Sequence, residues 1–146
     1  MANGRLLDED YRRLLDLRTG LRRFLHWTEE EARVVGLTPA QHQLLVAVRG
    51  LEGGAGPTIS DIADALLLRH HSAVELVQRA EAAGLLTRRA DAEDGRVVRL
   101  GLSRRGRSAL ERLSALHHEE LHRLGDPLHP LWEGLEGSQP APSDGH

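Results

Sequence analysis

The chain has 146 residues, of which 40% are hydrophobic and 28% charged, and its net charge is −3. This length suits one domain with extensions, and the absence of cysteine excludes disulfides, thiolate metal sites and thiol redox sensing. The first residues lack the apolar run of a signal peptide, and no window approaches 18 apolar residues. We therefore expect a soluble cytoplasmic protein that does not associate with a membrane.

The first predicted element is one long helix over residues 6–34, which Gly36 ends. Its apolar residues recur at close to 3.5-residue spacing, as Leu7, Tyr11, Leu14, Leu21 and Leu25. This stripe is longer than a small domain needs to cover its core.

Three shorter helices follow, predicted over residues 38–50, 60–68 and 70–83. The first begins with a capping box of Thr38, Pro39 and Gln41. Ser60 is the expected N-cap of the next helix, and Gly84 stands where a left-handed C-cap belongs after the last. Two short helices joined by a turn of about four residues have the spacing of a helix-turn-helix.

A two-stranded hairpin is predicted next, with Asp94 and Gly95 at its turn. Val98, Leu100 and Leu102 alternate with polar or small residues, which indicates a strand with one buried face. All 19 basic residues of the chain are Arg, and residues 69–107 hold nine of them against five acidic residues. Such an Arg-rich hairpin with few apolar residues at its tip is suited to lie on a polyanion.

Ser103 is expected to cap a fifth helix that runs to Leu124 with a continuous apolar stripe. A short last helix is predicted from Pro130, and the polar, Pro-rich residues 137–146 are expected to be disordered. No catalytic arrangement is visible, because the available Ser residues serve as caps or turn residues. We expect a non-enzymatic protein without a cofactor.

In a helix-turn-helix the second helix enters the major groove of DNA, and a hairpin wing can reach the minor groove. Val74 and Val77 mark the expected core side of the second helix. Arg96 is the expected minor-groove side chain, and Asp94 is expected to pair with it. The full set of predicted DNA-contacting residues is Arg69, His70, His71, Ser72, Glu75, Gln78, Arg79, Arg88, Arg89, Asp94 and Arg96.

The order of these motifs resembles the multiple-antibiotic-resistance regulator (MarR) family of winged-helix repressors. The resemblance covers Leu37 to Gly106, through GLTPAQHQLL, PTISDIADALLLRHHSAVELVQRAEAAGLLTR and DAEDGRVVRLGLSRRG. The chain departs from the family at Gly95, where an Arg is frequent, and at Ser103, where Thr is usual. The fold class that follows is mainly α with a small β-hairpin wing, between long N- and C-terminal dimerisation helices.

The resemblance implies a homodimer, which the excess of apolar stripe also favours. It divides the chain into a dimerisation helix (1–36), a winged helix-turn-helix (37–106), C-terminal dimerisation helices (107–136) and the tail (137–146). A homodimer binding double-stranded DNA predicts a palindromic operator with half-sites about one helical turn apart. Family members often bind small aromatic or anionic effectors, for which the candidate residues here are Arg22, His26, Trp27 and His42.

Two alternatives remain at this point. His118 and His122 are four residues apart on one side of a helix, and with His117 they suit a metal- or pH-responsive regulator. From another class, a helical interaction module would bind protein in place of DNA. The salt dependence of DNA binding distinguishes that alternative from a regulator, because phosphate contacts weaken steeply with salt.

Overall fold

The computed structural model describes residues 4–124, which are mostly helical with one two-stranded sheet. The chain divides into two compact units, Met1–Leu113 and Ser114–His146. The first unit holds α1 (Asp8–Val34), α2 (Pro39–Gly50), α3 (Ile59–Leu66), α4 (His70–Ala82), β1 (Leu86–Ala90), β2 (Val98–Leu102) and α5 (Arg104–Arg112). The second contains α6 (Ser114–Leu124). The predictions of a helix from Pro130 and a disordered tail fall outside the described residues.

The core of the first unit is aliphatic and is assembled from α2, α3, α4 and β2. Its largest fully buried side chains include Leu44, Leu45, Ile62, Val77 and Leu100. The helical positions belong to helices whose apolar residues recur every three or four positions, so each helix turns one face inward. Leu100 comes from strand β2. The winged-helix part of the predicted fold class is therefore confirmed.

Local capping signals set most helix starts. Thr38 Oγ1 accepts from the Gln41 N–H at 3.1 Å, and Gln41 Oε1 accepts from the Thr38 N–H at 3.1 Å, which confirms the predicted capping box. The expectation for Ser60 is wrong. Thr58 is the N-cap of α3, because its hydroxyl and the Asp61 carboxylate form the same reciprocal pair of hydrogen bonds.

The wing is an antiparallel pair in which Leu86 faces Leu102 and Ala90 faces Val98. Leu100 and Leu102 are buried, as the alternation in β2 predicts. A seven-residue loop, residues 91–97, connects the strands. Asp94 and Gly95 lie in a turn of this loop, as predicted, because the Val97 N–H bonds the Asp94 carbonyl at 2.9 Å. The connection is longer than a two-residue hairpin turn, and Gly95 lacks the positive φ that such a turn requires.

The predicted fifth helix is interrupted. Ser103 caps α5 by accepting from the Gly106 N–H at 3.0 Å, as expected. The helix ends at Arg112, where the Leu113 N–H bonds the Leu110 carbonyl three residues back at 3.0 Å. This tighter turn separates α5 from α6, although the apolar spacing continues across it.

Candidate nucleic-acid interface

Helix α4 presents a polar face opposite a small apolar one. Ala73, Val77 and Ala80 are buried, while Val74, predicted as a core residue, is only half-buried. The exposed residues predicted to contact DNA from this helix and its N-cap are Arg69, His70, His71, Glu75, Gln78 and Arg79, with Ser72 half-buried. Helix α4 and its N-cap therefore hold these side chains in solvent. Their hydrogen-bond donors and acceptors are available to base edges.

The turn between α3 and α4 contains an unusual residue. Leu67 has φ +54°, and it is the one non-glycine residue in the described part of the chain with a positive φ. Its side chain is 92% exposed, so packing does not offset the unfavourable backbone conformation.

At the tip of the wing, Asp94 and Arg96 form the predicted pair. Asp94 Oδ1 accepts from Arg96 Nε at 3.3 Å and from the Arg96 backbone N–H at 3.1 Å. The Arg96 side chain is 92% exposed, so the pair orients a guanidinium that remains available to a ligand.

A second pair fixes the loop of the wing. The Asp91 carboxylate accepts from the Glu93 and Asp94 N–H groups at 3.1 and 3.0 Å and from Arg99 Nε at 2.9 Å. These hydrogen bonds, with the Asp94 N–H foremost, hold the pKa of Asp91 below its ordinary value. Arg99 also donates to the Gly56 carbonyl at 2.9 Å, which ties the wing to the loop before α3. Sequence reasoning missed this pair.

Several other arginines have partners within the chain. Arg88 and Arg89 were both predicted to contact DNA. Arg88 pairs with Glu81 of α4, and Arg89 donates to the Ala55 carbonyl. Arg107 pairs with Glu52 at 2.8 Å. Part of the positive charge that the sequence suggested for DNA thus holds the wing, α4 and α5 in place.

The predicted effector residues are only partly brought together. Arg22, His26 and Trp27 line an open groove along α1. The ring of Trp27 lies 6.1 Å from that of Phe24, which is not among the described residues that line the groove. His42 is buried on α2 and is not among the residues that line this groove. Glu29 and Glu30 share the groove, and His26 Nε2 lies 3.0 Å from Glu30 Oε1.

The histidines of α6 form no metal centre within residues 4–124, where no group of three or more His, Cys, Asp or Glu side chains is placed to hold an ion. His118 and His122 are exposed. Partial burial, followed by the charge of His118, lowers the pKa of His117.

Comparison with known proteins shows which family this geometry resembles. The model of the MarR family matches residues 35–97, which span α2, the helix-turn-helix and most of the wing. The comparison with curated proteins found no match.

Solved MarR-family structures share the fold over most of the chain. AbsC, a MarR family transcriptional regulator from Streptomyces coelicolor, is 23% identical with a TM-score of 0.70, and the match covers 92% of this chain and 99% of AbsC. MepR of S. aureus, in complex with DNA, is 19% identical with a TM-score of 0.64 (91% and 93% covered). A mutant of MarR from E. coli, complexed with operator DNA, is 21% identical with a TM-score of 0.64 (88% and 92% covered).

None of the helices in residues 4–124 combines the length and apolar character needed to cross a membrane.

Proposed function

We propose that this chain is a sequence-specific transcriptional regulator that binds double-stranded DNA. The observation that carries the proposal is the MarR-type winged helix with a polar, exposed α4 and an exposed Arg96 at the tip of its wing. Helix α4 enters the major groove, and His71, Ser72 and Gln78 contact base edges. Arg96 enters the adjacent minor groove, where its charge and shape contribute to binding on any sequence.

The regulator acts as a homodimer on a palindromic operator. Supporting this, α1 is about 40 Å long at 1.5 Å per residue, yet within this fully described helix only Thr28 and Ala32 are buried. The apolar stripe on the rest of the helix is exposed, including Leu7, Tyr11, Leu14, Leu21 and Leu25. A second copy of the same helix would cover this stripe, since a 3.5-residue repeat is the spacing of paired helices.

We further propose that the protein is a repressor released by a small aromatic effector. The groove on α1 supports this proposal, because Trp27 offers an aromatic face beside Arg22 and His26. Such a ligand acts only if it binds the free and DNA-bound conformations with different affinity. Trp27 fluorescence reports its binding, and release of operator DNA by the same compound reports regulation.

The test of DNA binding is a gel shift on the region upstream of the chain's own gene, followed by selection from random duplexes. Changing Gln78 to Ala should relax selection at one base pair in each half-site, at a cost of about 1–3 kcal/mol there. Arg13→Ala, which removes an exposed charge on α1 paired with Glu9, serves as the control and should leave selection unchanged. A chain that selects no sequence, or whose weak binding lacks salt dependence, would support the protein-interaction module.

A further inference from the structure

Backbone hydrogen bonds fix the strained residue in the turn between α3 and α4. The Leu67 N–H bonds the Asp64 carbonyl at 3.4 Å, and the Leu68 N–H bonds the Ala63 carbonyl at 2.9 Å, which is the pattern of a Schellman cap. This cap places a left-handed backbone at Leu67 (φ +54°, ψ +41°), a conformation that glycine adopts readily and leucine does not. The direction in which the Leu67 side chain leaves the backbone is therefore set by the cap and not by packing.

Leu67 is also the most exposed large hydrophobic residue in the described part of the chain, ahead of Val34 at 81%. Its neighbours Leu66 and Leu68 are half-buried, so the apolar character of this segment serves the core at those two positions and not at Leu67. A strained residue that packs against little of its own chain does not stabilise the fold. Strained residues of this kind concentrate at functional sites.

The position of Leu67 connects it with the proposed DNA-reading helix. It stands two residues before Arg69, the N-cap of α4, so the Cα atoms of the two residues are at most about 7 Å apart. In a helix-turn-helix the N-terminal residues of the second helix reach the base edges. Leu67 therefore lies at the end of α4 that would approach the groove, beside the exposed polar residues Arg69, His70 and His71.

One apolar side chain among polar ones matches the chemistry of the major groove. Base pairs present hydrogen-bond donors and acceptors there, and the C5-methyl group of thymine is the apolar contact that they offer. A protein partner would favour a contiguous apolar patch, which the polar residues that follow Leu68 interrupt.

We propose that Leu67 contacts the methyl group of a thymine in the major groove and so contributes to the choice of operator sequence. This inference rests on the proposed function. It adds an apolar contact from the turn to the polar contacts proposed for α4, and it gives the strained, exposed leucine a role in binding.

The experiment removes one methyl group at a time from the DNA. Selection from random duplexes provides a duplex that the unchanged chain prefers, and deoxyuridine then replaces each of its thymines in turn, which leaves every base pair intact. Fluorescence anisotropy measures the affinity for each duplex. Replacement at one thymine in each half-site should weaken binding of the unchanged chain about fourfold, the effect of losing burial of one methyl-sized apolar group.

Two variants remove the leucine side chain and keep the backbone of the turn. Leu67→Gly and Leu67→Asn both place a residue that tolerates the left-handed conformation at this position. Each should bind the thymine and deoxyuridine duplexes equally. Leu51→Gly is the control, because it removes another exposed leucine, at the C-cap of α2, and should retain the fourfold difference. Thermal melting should show that all three variants are folded.

The outcomes separate this inference from the proposed function. If no deoxyuridine replacement weakens binding of the unchanged chain, or if the Leu67 variants show the same loss as the unchanged chain, Leu67 does not contact a thymine methyl group. Disappearance of the difference in Leu51→Gly would also overturn the inference. In each of these cases selective DNA binding is still measured and the proposed function stands. A chain that selects no duplex would contradict the proposed function, and this inference with it.

Discussion

The backbone of Gly106 lies against the carbonyl of Leu85 so closely that a β-carbon at position 106 would stand 2.2 Å from that oxygen. The same carbonyl accepts the Ser103 N–H at 3.0 Å, so it is fixed by the start of α5. Any side chain at Gly106 would have to push α5 away from the turn that connects α4 to the wing.

Gly106→Ala is therefore expected to destabilise the protein by about 1–3 kcal/mol, as overpacking of an interior contact does. Gly20→Ala is the matched control, because Gly20 also lies in a helix and a β-carbon there meets nothing within 4 Å. That change should stabilise the chain by up to about 1 kcal/mol through helix propensity. Urea unfolding of the two variants measures both effects, and equal stability would show that α5 can shift freely.

Leu67→Gly is expected to stabilise the fold by about 0.5–1 kcal/mol, because glycine adopts the left-handed conformation without the penalty that Leu bears. Leu51→Gly is the control, since Leu51 is also an exposed C-cap residue but has φ −101°. Thermal melting should show a gain for the first variant and none for the second. A loss at Leu67 would mean that its exposed side chain contributes to the stability of the turn.

Asp91 should make the free energy of unfolding depend on pH in the acidic range. Its pKa is lowered in the folded chain, so its contribution is complete above the ordinary value of 3.8 and is lost as the pH falls toward the lower folded value. The difference in unfolding free energy between the unchanged chain and Asp91→Asn should be constant near neutral pH and should shrink below that value. A difference that stays constant down to the lowest accessible pH would contradict the lowered pKa.

Arg96→Ala is expected to weaken binding to all DNA sequences and to reduce the magnitude of the slope of log affinity against log salt by about 0.9. The expectation follows from a 92% exposed guanidinium at the wing tip. Fluorescence anisotropy at several salt concentrations measures it, with Arg13→Ala as a charge-matched control on α1. The same salt slope for both variants would show that Arg96 does not contact DNA.

Leu14→Asp is expected to release monomers from the proposed dimer, because it places a carboxylate in the apolar stripe of α1. Val46→Asp is the control, since Val46 is 45% exposed on α2, close to the 40% of Leu14. Light scattering after gel filtration should give a dimer for the unchanged chain and for the control. A monomeric unchanged chain at micromolar concentration would contradict the dimer and the palindromic operator.

Short-range sequence patterns correctly predicted the elements whose stabilising contacts join residues close together in the sequence. The capping box at Thr38, the order of the two short helices and the alternation in β2 all follow from residues within one or two turns of each other. The correct N-cap of α3 could also have been predicted, because Thr58 and Asp61 have the same three-residue spacing as Thr38 and Gln41. The prediction chose Ser60 within the same segment.

The roles of the arginines could not be predicted in this way. Arg89, Arg99 and Arg107 find their partners 34, 43 and 55 residues away along the chain. No local pattern shows such contacts, so the sequence predicts Arg89 as a DNA contact although it bonds within the chain. The end of α5 was missed for a related reason, because the apolar spacing continues past Leu113 although the hydrogen-bond pattern changes there.

The bond from Arg99 to Gly56 also bears on how the wing would meet a duplex. Arg99 and the Leu100 N–H, which donates to Pro57 at 2.8 Å, both anchor β2 to the loop before α3. The wing therefore loses its conformational freedom when the chain folds, before any DNA arrives. A preorganised wing leaves little ordering entropy to oppose association, so even one exposed arginine at its tip can contribute most of its contact energy to affinity.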